Sequence, residues 1–194
     1  MMEDMDTQAK NKQDVVFLRG ERVYLRPVER DDLAHIMRWL NDPELRALTG
    51  DVRPMDQLGA EEYLQRLHDD KSRIWFVIVR KQDGRLIGET GLLRMFPPWR
   101  TTDMSLIIGE ADTRGKGYGR EVMEIMLDFA FGAMNFNRVA IGVVGFNEQA
   151  LKFYKQVGFV QEGVQRQGYY HGYRYYDFIM MSLLKQEYAA RRGK

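Results

Sequence analysis

Apolar and polar positions change period many times along this chain, and each change predicts an element. Residues 1–16 are mostly polar and aperiodic, which predicts a mobile tail ahead of a domain over 17–188, with 189–194 as a C-terminal tail. Val23-Tyr24-Leu25-Arg26-Pro27 predicts a first strand, ended by Pro27. Behind Asp31 as cap, Leu33, Ile36, Met37 and Leu40 recur at helical spacing, and Trp39, Asn41 and Asp42 close that helix before Pro43. A second helix is predicted over 57–70, with Tyr63, Leu64 and Leu67 on one side. Arg73 to Arg80 is rich in β-branched and aromatic residues and predicts a strand. Asp83-Gly84 then turns the chain into a returning strand over Arg85 to Met95. Phe96-Pro97-Pro98-Trp99-Arg100 is a stiff aromatic loop, and Thr102 to Gly109 a further strand.

The helix predicted after residue 117 carries one narrow polar stripe, Glu121, Glu124 and Asp128, with apolar residues covering the rest. Such a helix must be mostly buried, against a sheet. Arg138 to Val144 predicts a strand. Asn147 caps a helix carrying Ala150, Leu151, Phe153, Tyr154 and Val157, which Gly158 stops. Two strands follow, over 159–168 and 173–184, with their turn at His171-Gly172. The order β-α-α-β-β-β-α-β-α-β-β implies one α/β domain built on a single mixed sheet.

Composition narrows the function classes. In 194 residues, 44% hydrophobic, a single domain with a sizeable core is expected. The net charge of +1 carries no basic excess of the kind that marks nucleic-acid binders. With no cysteine there is no disulfide, thiol nucleophile or thiolate metal site. His35, His68 and His171 have no metal-ligand spacing, and no apolar run approaches membrane-spanning length. The N-terminus lacks an apolar signal core, so a cytoplasmic protein without metal, nucleic-acid or membrane partners is expected.

The stretch Arg114-Gly115-Lys116-Gly117-Tyr118-Gly119-Arg120 lies between an apolar run at Leu106-Ile107-Ile108 and the buried helix. Free N–H groups at a helix start, together with the helix dipole, suit a phosphate or pyrophosphate. The P-loop pattern fails, since position 110 is Glu110 and Gly117 follows Lys116; Gly-x-Gly-x-x-Gly fails at Arg120 and at Val122. What fits is Arg-x-x-Gly-x-Gly at Arg114, Gly117 and Gly119. In this the sequence resembles the GNAT family of acyl-CoA-dependent N-acetyltransferases. Supporting pieces are Trp39 to Pro43, Asn147 to Phe159, Glu162-Gly163, and Gly172 through Asp177 to Leu184. The resemblance covers about residues 18–188 and is strongest to the group of ribosomal-protein and polyamine acetyltransferases. It implies the GNAT fold, a mostly antiparallel mixed sheet flanked by helices, in which homodimers are common.

The resemblance also implies roles. Acetyl-CoA would be the co-substrate, with Arg114 at the coenzyme and the pyrophosphate on the backbone of Gly115, Lys116, Gly117, Tyr118, Gly119 and Arg120. Its pantetheine arm would pair with Ile107, Ile108 and Gly109, on a strand that splays from its neighbour, and a backbone N–H near Ile108 or Gly109 would serve the oxyanion. Asn147, Phe153 and Tyr154 would complete the coenzyme site, with the Tyr154 hydroxyl at the sulfur as general acid. The glutamate that some members carry five residues before Asn147 is Gly142 here. Another position that the family uses, an acid at the start of the strand leading to the glycine loop, is Asp103 here, where the carboxylate or an ordered water would take the proton, with Glu110 and Glu89 as weaker choices. The acceptor pocket would draw on Trp39, Asn41, Phe96, Trp99, Tyr169 and Tyr170, although the run Tyr169 to Phe178 also suits cross-strand packing. The acceptor would be a protein N-terminus, a polyamine or a small amine. The alternative is a non-catalytic acyl-CoA-binding sensor of the same fold.

Overall fold

The computed structural model describes residues 15–50 and 52–193; the tail expected over 1–16 lies, apart from Val15 and Val16, outside the described residues. The chain runs through β1 (Leu18–Arg19), β2 (Val23–Pro27), α1 (Leu33–Asn41), α2 (Pro43–Thr49) and α3 (Gln57–Asp69). A meander follows, of β3 (Ile74–Arg80), β4 (Leu86–Phe96) and β5 (Thr101–Ile108). Next come α4 (Tyr118–Asp128), β6 (Arg138–Val144), α5 (Glu148–Val157), β7 (Val160–His171), β8 (Arg174–Leu184) and α6 (Lys185–Arg192). The strands form one sheet in the order β1-β2-β3-β4-β5-β6-β8-β7. Every neighbouring pair is antiparallel except β5 and β6, which are parallel. This is the α/β domain on one mixed sheet that the hydrophobic pattern predicts, mostly antiparallel as the resemblance implies.

The details differ in five places. A two-residue strand, β1, precedes the expected first strand. The start of α1 is fixed by Asp32 rather than Asp31: Asp32 accepts from the Glu29 N–H at 2.8 Å and is held by a buried fork of Arg26 at 2.7 and 2.8 Å. Pro43 does more than close α1, since it opens α2, with Asp42 accepting from Leu45 N at 2.9 Å. A cap, a proline at the first position and Glu44 in the first turn are the standard signals of a helix start. The turn between β7 and β8 is Gly172-Tyr173, one residue beyond the expected tip. The C-terminal tail expected from 189 is instead the second half of α6.

Each face of the sheet carries its own core. α1, α2 and α3 cover one face, where Leu33, Ile36, Trp39, Val77 and Val79 are buried. α4 and α5 cover the other, with Val122, Met123, Met126 and Leu127 of α4 wholly buried. Burying each of these side chains favours folding by roughly 1.5–3 kcal/mol. Of the predicted stripe of α4, Glu124 is exposed and Glu121 and Asp128 are half-buried. The helix continues into a π-helical turn, Phe129–Ala133, whose Phe129 and Phe131 are also buried.

Candidate active site

Strand β5 pairs with β4 along most of its length, from Thr101 to Ile108, but with β6 only at Thr101, Thr102 and Asp103. Beyond Asp103 the two parallel strands part, and Ile141 to Val144 of β6 pair with β8 alone. The ladder leaves a slot along Met104 to Ile108. Gly109 N–H donates to Ile87 O of β4 at 2.9 Å. Because strand residues alternate, the N–H groups of Leu106 and Ile108 face the opposite edge, the one β6 has left. Of the two N–H groups expected for the oxyanion, that of Gly109 is therefore committed to the sheet, and that of Ile108 faces the slot.

The slot leads to the glycine loop. Gly115 and Gly117 have φ of 72° and 86°, the left-handed region where side chains are strained, and Gly117 is the N-cap of α4. The first N–H groups of α4 have no partner within the helix. Arg114, expected at the coenzyme, turns back instead. Its Nε donates to Ile108 O at 3.0 Å, one Nη to Gly109 O at 3.2 Å, and the other pairs with Glu44 of α2 at 3.3 Å. Its side chain thus fixes the loop to the strand, and the backbone is left to face a ligand. Arg120, in the first turn of α4, reaches Gln156 of α5 at 3.5 Å. A groove of about 490 Å³ runs along the exposed side of α5 past Lys152 and Lys155.

Tyr154 and Phe153 lie on α5, which Asn147 caps by accepting from Ala150 N at 3.0 Å. Tyr154 is 7% exposed, between the rings of Phe153 and Phe159. Burial pushes its phenol well above the ordinary tyrosine value, and among the described residues its hydroxyl has no hydrogen-bond partner. It is a protonated donor without a protein acceptor.

The carboxylates separate by environment. Asp103 stands where β6 leaves β5 and is engaged by Arg94. Glu110 is no base: it binds Arg38, Arg85 and the Trp39 indole N–H, the last at 2.8 Å. Burial raises its carboxyl, but Trp39, Arg85 and Arg38 outweigh this and hold it below the ordinary glutamate range. Glu89 is buried on β4 and accepts from the Tyr63 hydroxyl at 3.2 Å.

The expected acceptor residues do not gather in one place. Trp39 is 3% exposed and packs flat on Gly109, where a Cβ would come within 2.3 Å of its ring, so it supports the end of β5 from beneath. Asn41 is a clasp on Met55, accepting from its N–H at 2.9 Å and donating to its carbonyl at 2.7 Å. Phe96 and Trp99 form an exposed T-shaped pair at the far end of β5 from the glycine loop. Tyr169 and Tyr170 do line a cleft of about 380 Å³, with Pro43, Arg46, Ala47 and Val52. The Tyr169 hydroxyl donates to Ala47 O at 2.8 Å and docks the β7–β8 arm on α2. The α2 wall of this cleft was missing from the sequence reading, although Asp42-Pro43-Glu44 announces it.

The chain is 28% identical over 174 residues to spermidine N(1)-acetyltransferase of Vibrio cholerae, which covers 89% of this chain and 98% of that one. The Escherichia coli enzyme of the same name is 25% identical, covering 87% of this chain and 89% of its own. The crystal structure of the V. cholerae spermidine N-acetyltransferase in complex with CoA and spermine superposes with a TM-score of 0.80 at 27% identity, over 87% of this chain and 98% of that one. The family model described as an acetyltransferase (GNAT) domain matches residues 22–160, from the foot of β2 past the parted strands and Tyr154 to the first residue of β7, and the chain belongs to that family of N-acetyltransferases.

Proposed function

We propose that this enzyme moves the acetyl group of acetyl-CoA directly to a primary amine of a polyamine, in the cytoplasm. The observation that carries the reading is the parting of β5 from β6 beyond Asp103, beside a sheet face whose core includes Tyr154. A pantetheine arm is a short chain of amides, and an open strand edge at Leu106 and Ile108 offers it the hydrogen bonds of a missing strand. The unpaired N–H groups at the start of α4 suit a diphosphate. Lys152 and Lys155 of the α5 groove add positive charge nearby.

In the reaction the amine nitrogen attacks the thioester carbonyl, a C–N bond forms, and the C–S bond breaks. In this reading the Ile108 N–H donates to the oxygen as charge develops, a contribution of roughly 3–4 kcal/mol for one such donor. The leaving sulfur takes the Tyr154 proton, and solvent restores it. The amine must first be neutral, which for an alkylammonium costs about 4 kcal/mol at pH 7. Asp103 is the proposed proton acceptor. It already binds a cation in Arg94, and an incoming ammonium competes for the same carboxylate. The polyamine acceptor follows from the named substrates of the V. cholerae and E. coli relatives and from the spermine complex. Nothing in the site favours the sensor alternative, in which Tyr154 would have no task.

Acetyl-CoA offered with spermidine, spermine, an N-terminal peptide and a simple monoamine, with free thiol as readout, tests this reading. Fastest turnover on a polyamine is expected. Turnover on the peptide alone would replace the acceptor, and no turnover with any amine despite coenzyme binding would leave the sensor.

A further inference from the structure

The sequence gives Arg22 no distinction, yet it makes four contacts around the glycine loop. One Nη donates to Lys116 O at 3.0 Å. The guanidinium carbon lies 4.8 Å from the centre of the Tyr118 ring. The other Nη stands where a Cβ on Gly117 would come within 3.1 Å of it. Nε pairs with Glu121 of α4 at 3.0 Å. Glu121 also accepts the backbone N–H groups of Arg22 at 2.7 Å and Val23 at 3.2 Å. Burial opposes ionisation of Glu121, but those two N–H groups and the guanidinium outweigh it and hold the carboxyl below its ordinary range. Arg22 is itself seated, since its carbonyl accepts from Lys81 N at 2.9 Å.

We propose that Arg22 is a positioning residue for the coenzyme: it holds Lys116, Gly117 and Tyr118 in the conformation that turns the first N–H groups of α4 toward the diphosphate. The inference rests on the acetyl-CoA reading above. Arg114 ties the upstream end of the loop to β5, and Arg22 ties the downstream end to β2 and α4. Between Arg114 and the Lys116 carbonyl that Arg22 holds lies Gly115, whose left-handed backbone would let the span swing. Without Arg22, the loop must be ordered at the moment of binding, and affinity for the diphosphate falls by that ordering cost. Acetyl transfer itself, at saturating donor, does not involve Arg22.

The test uses the full chain with Arg22→Met, Arg22→Lys and Glu121→Gln. Coenzyme A binding is measured by calorimetry, and KM and kcat are compared for acetyl-CoA and S-acetylpantetheine, which has no diphosphate. Arg22→Met is expected to raise the Kd for coenzyme A and the KM for acetyl-CoA about tenfold, with kcat within about twofold. The KM for S-acetylpantetheine stays where it was. Arg22→Lys keeps the charge but not the fork and rescues little. Glu121→Gln shifts the same way by less, and adding it to Arg22→Met costs almost nothing more, because the two act as one unit. An unchanged coenzyme Kd in Arg22→Met, an equal loss on both donors, or full rescue by lysine would overturn the proposal. If Arg22→Met gives no cooperative melt, the Arg22→Lys and Glu121→Gln arms decide in the same way. Wild-type protein that fails to bind coenzyme A would overturn the functional reading instead.

Discussion

Asp103 and Tyr154 lie on opposite faces of one sheet, and Asp103 marks the place where two of its strands separate. Asp103 alternates with Met104, which belongs to the core under α4 and α5, and shares its side with Ile107, which packs toward α1 to α3. Tyr154 belongs to the α4–α5 side. A proton acceptor for an amine and a proton donor for a thiolate must not neutralise each other before the chemistry. In the proposed mechanism Asp103 and Tyr154 are that acceptor and that donor, and the sheet lies between them.

Tyr154→Phe removes the donor and leaves the ring packing intact. A fall in kcat of about a hundredfold or more is expected, the usual scale for a lost general acid. Coenzyme A affinity by calorimetry should stay within about twofold. Equal turnover in the two proteins would take Tyr154 out of the mechanism.

Gly117→Val forces a β-branched side chain into φ of 86° and against Arg22. The left-handed penalty alone is about 1–2 kcal/mol. The loop must move to relieve it, so the Kd for coenzyme A should rise at least about tenfold, while far-ultraviolet dichroism stays native. Unaltered affinity would mean that the loop does not carry the diphosphate.

Gly109→Ala places a methyl group within 2.3 Å of the Trp39 ring. Overpacking of this kind costs about 1–3 kcal/mol. Urea denaturation should show the loss, and the same substitution made beside Trp39→Phe should cost less. An equal cost in both backgrounds would show that the ring is not the obstacle.

Glu110 makes stability depend on acid. Its carboxyl is held below the ordinary glutamate value of 4.5 in the folded protein, so across that window the unfolded chain binds more protons. Stability is therefore complete above that value and is lost as pH falls through the folded one. One such group contributes at most about 1.4 kcal/mol per pH unit. Denaturation midpoints measured from neutral pH to pH 3 should fall less steeply in Glu110→Gln than in wild type.

The legible parts of the fold were those with strong period or punctuation. The α4 stripe, the Asp83-Gly84 turn, the Asn147 cap and the strands of the meander all appear where the pattern puts them. What escaped was set by packing at a distance. Trp39 and Asn41 look like pocket residues in a polar-aromatic stretch, but one is pressed onto a glycine seventy positions away and the other is spent on Met55. Arg114 carries the loop motif, yet its side chain serves Ile108 and Gly109 rather than a ligand. Arg22 has no local signal, because its role arises only when β2 comes beside the start of α4. α2 is different: its cap, proline and acidic first turn were present and were read as an ending rather than a beginning.

The parted strands have a mechanical consequence. Among the described residues, the strands of the half containing β6 and β8 pair with those of the half containing β4 at three positions, Thr101 to Asp103, beside the Asn137 and Arg138 N–H groups that donate to Arg100 O. A donor lying in the slot spans both halves and supplies the rungs that the polypeptide omits. The loaded enzyme should be the stiffer one, with amide exchange at Leu106 and Ile108 slowing and the melting point rising as coenzyme A is added.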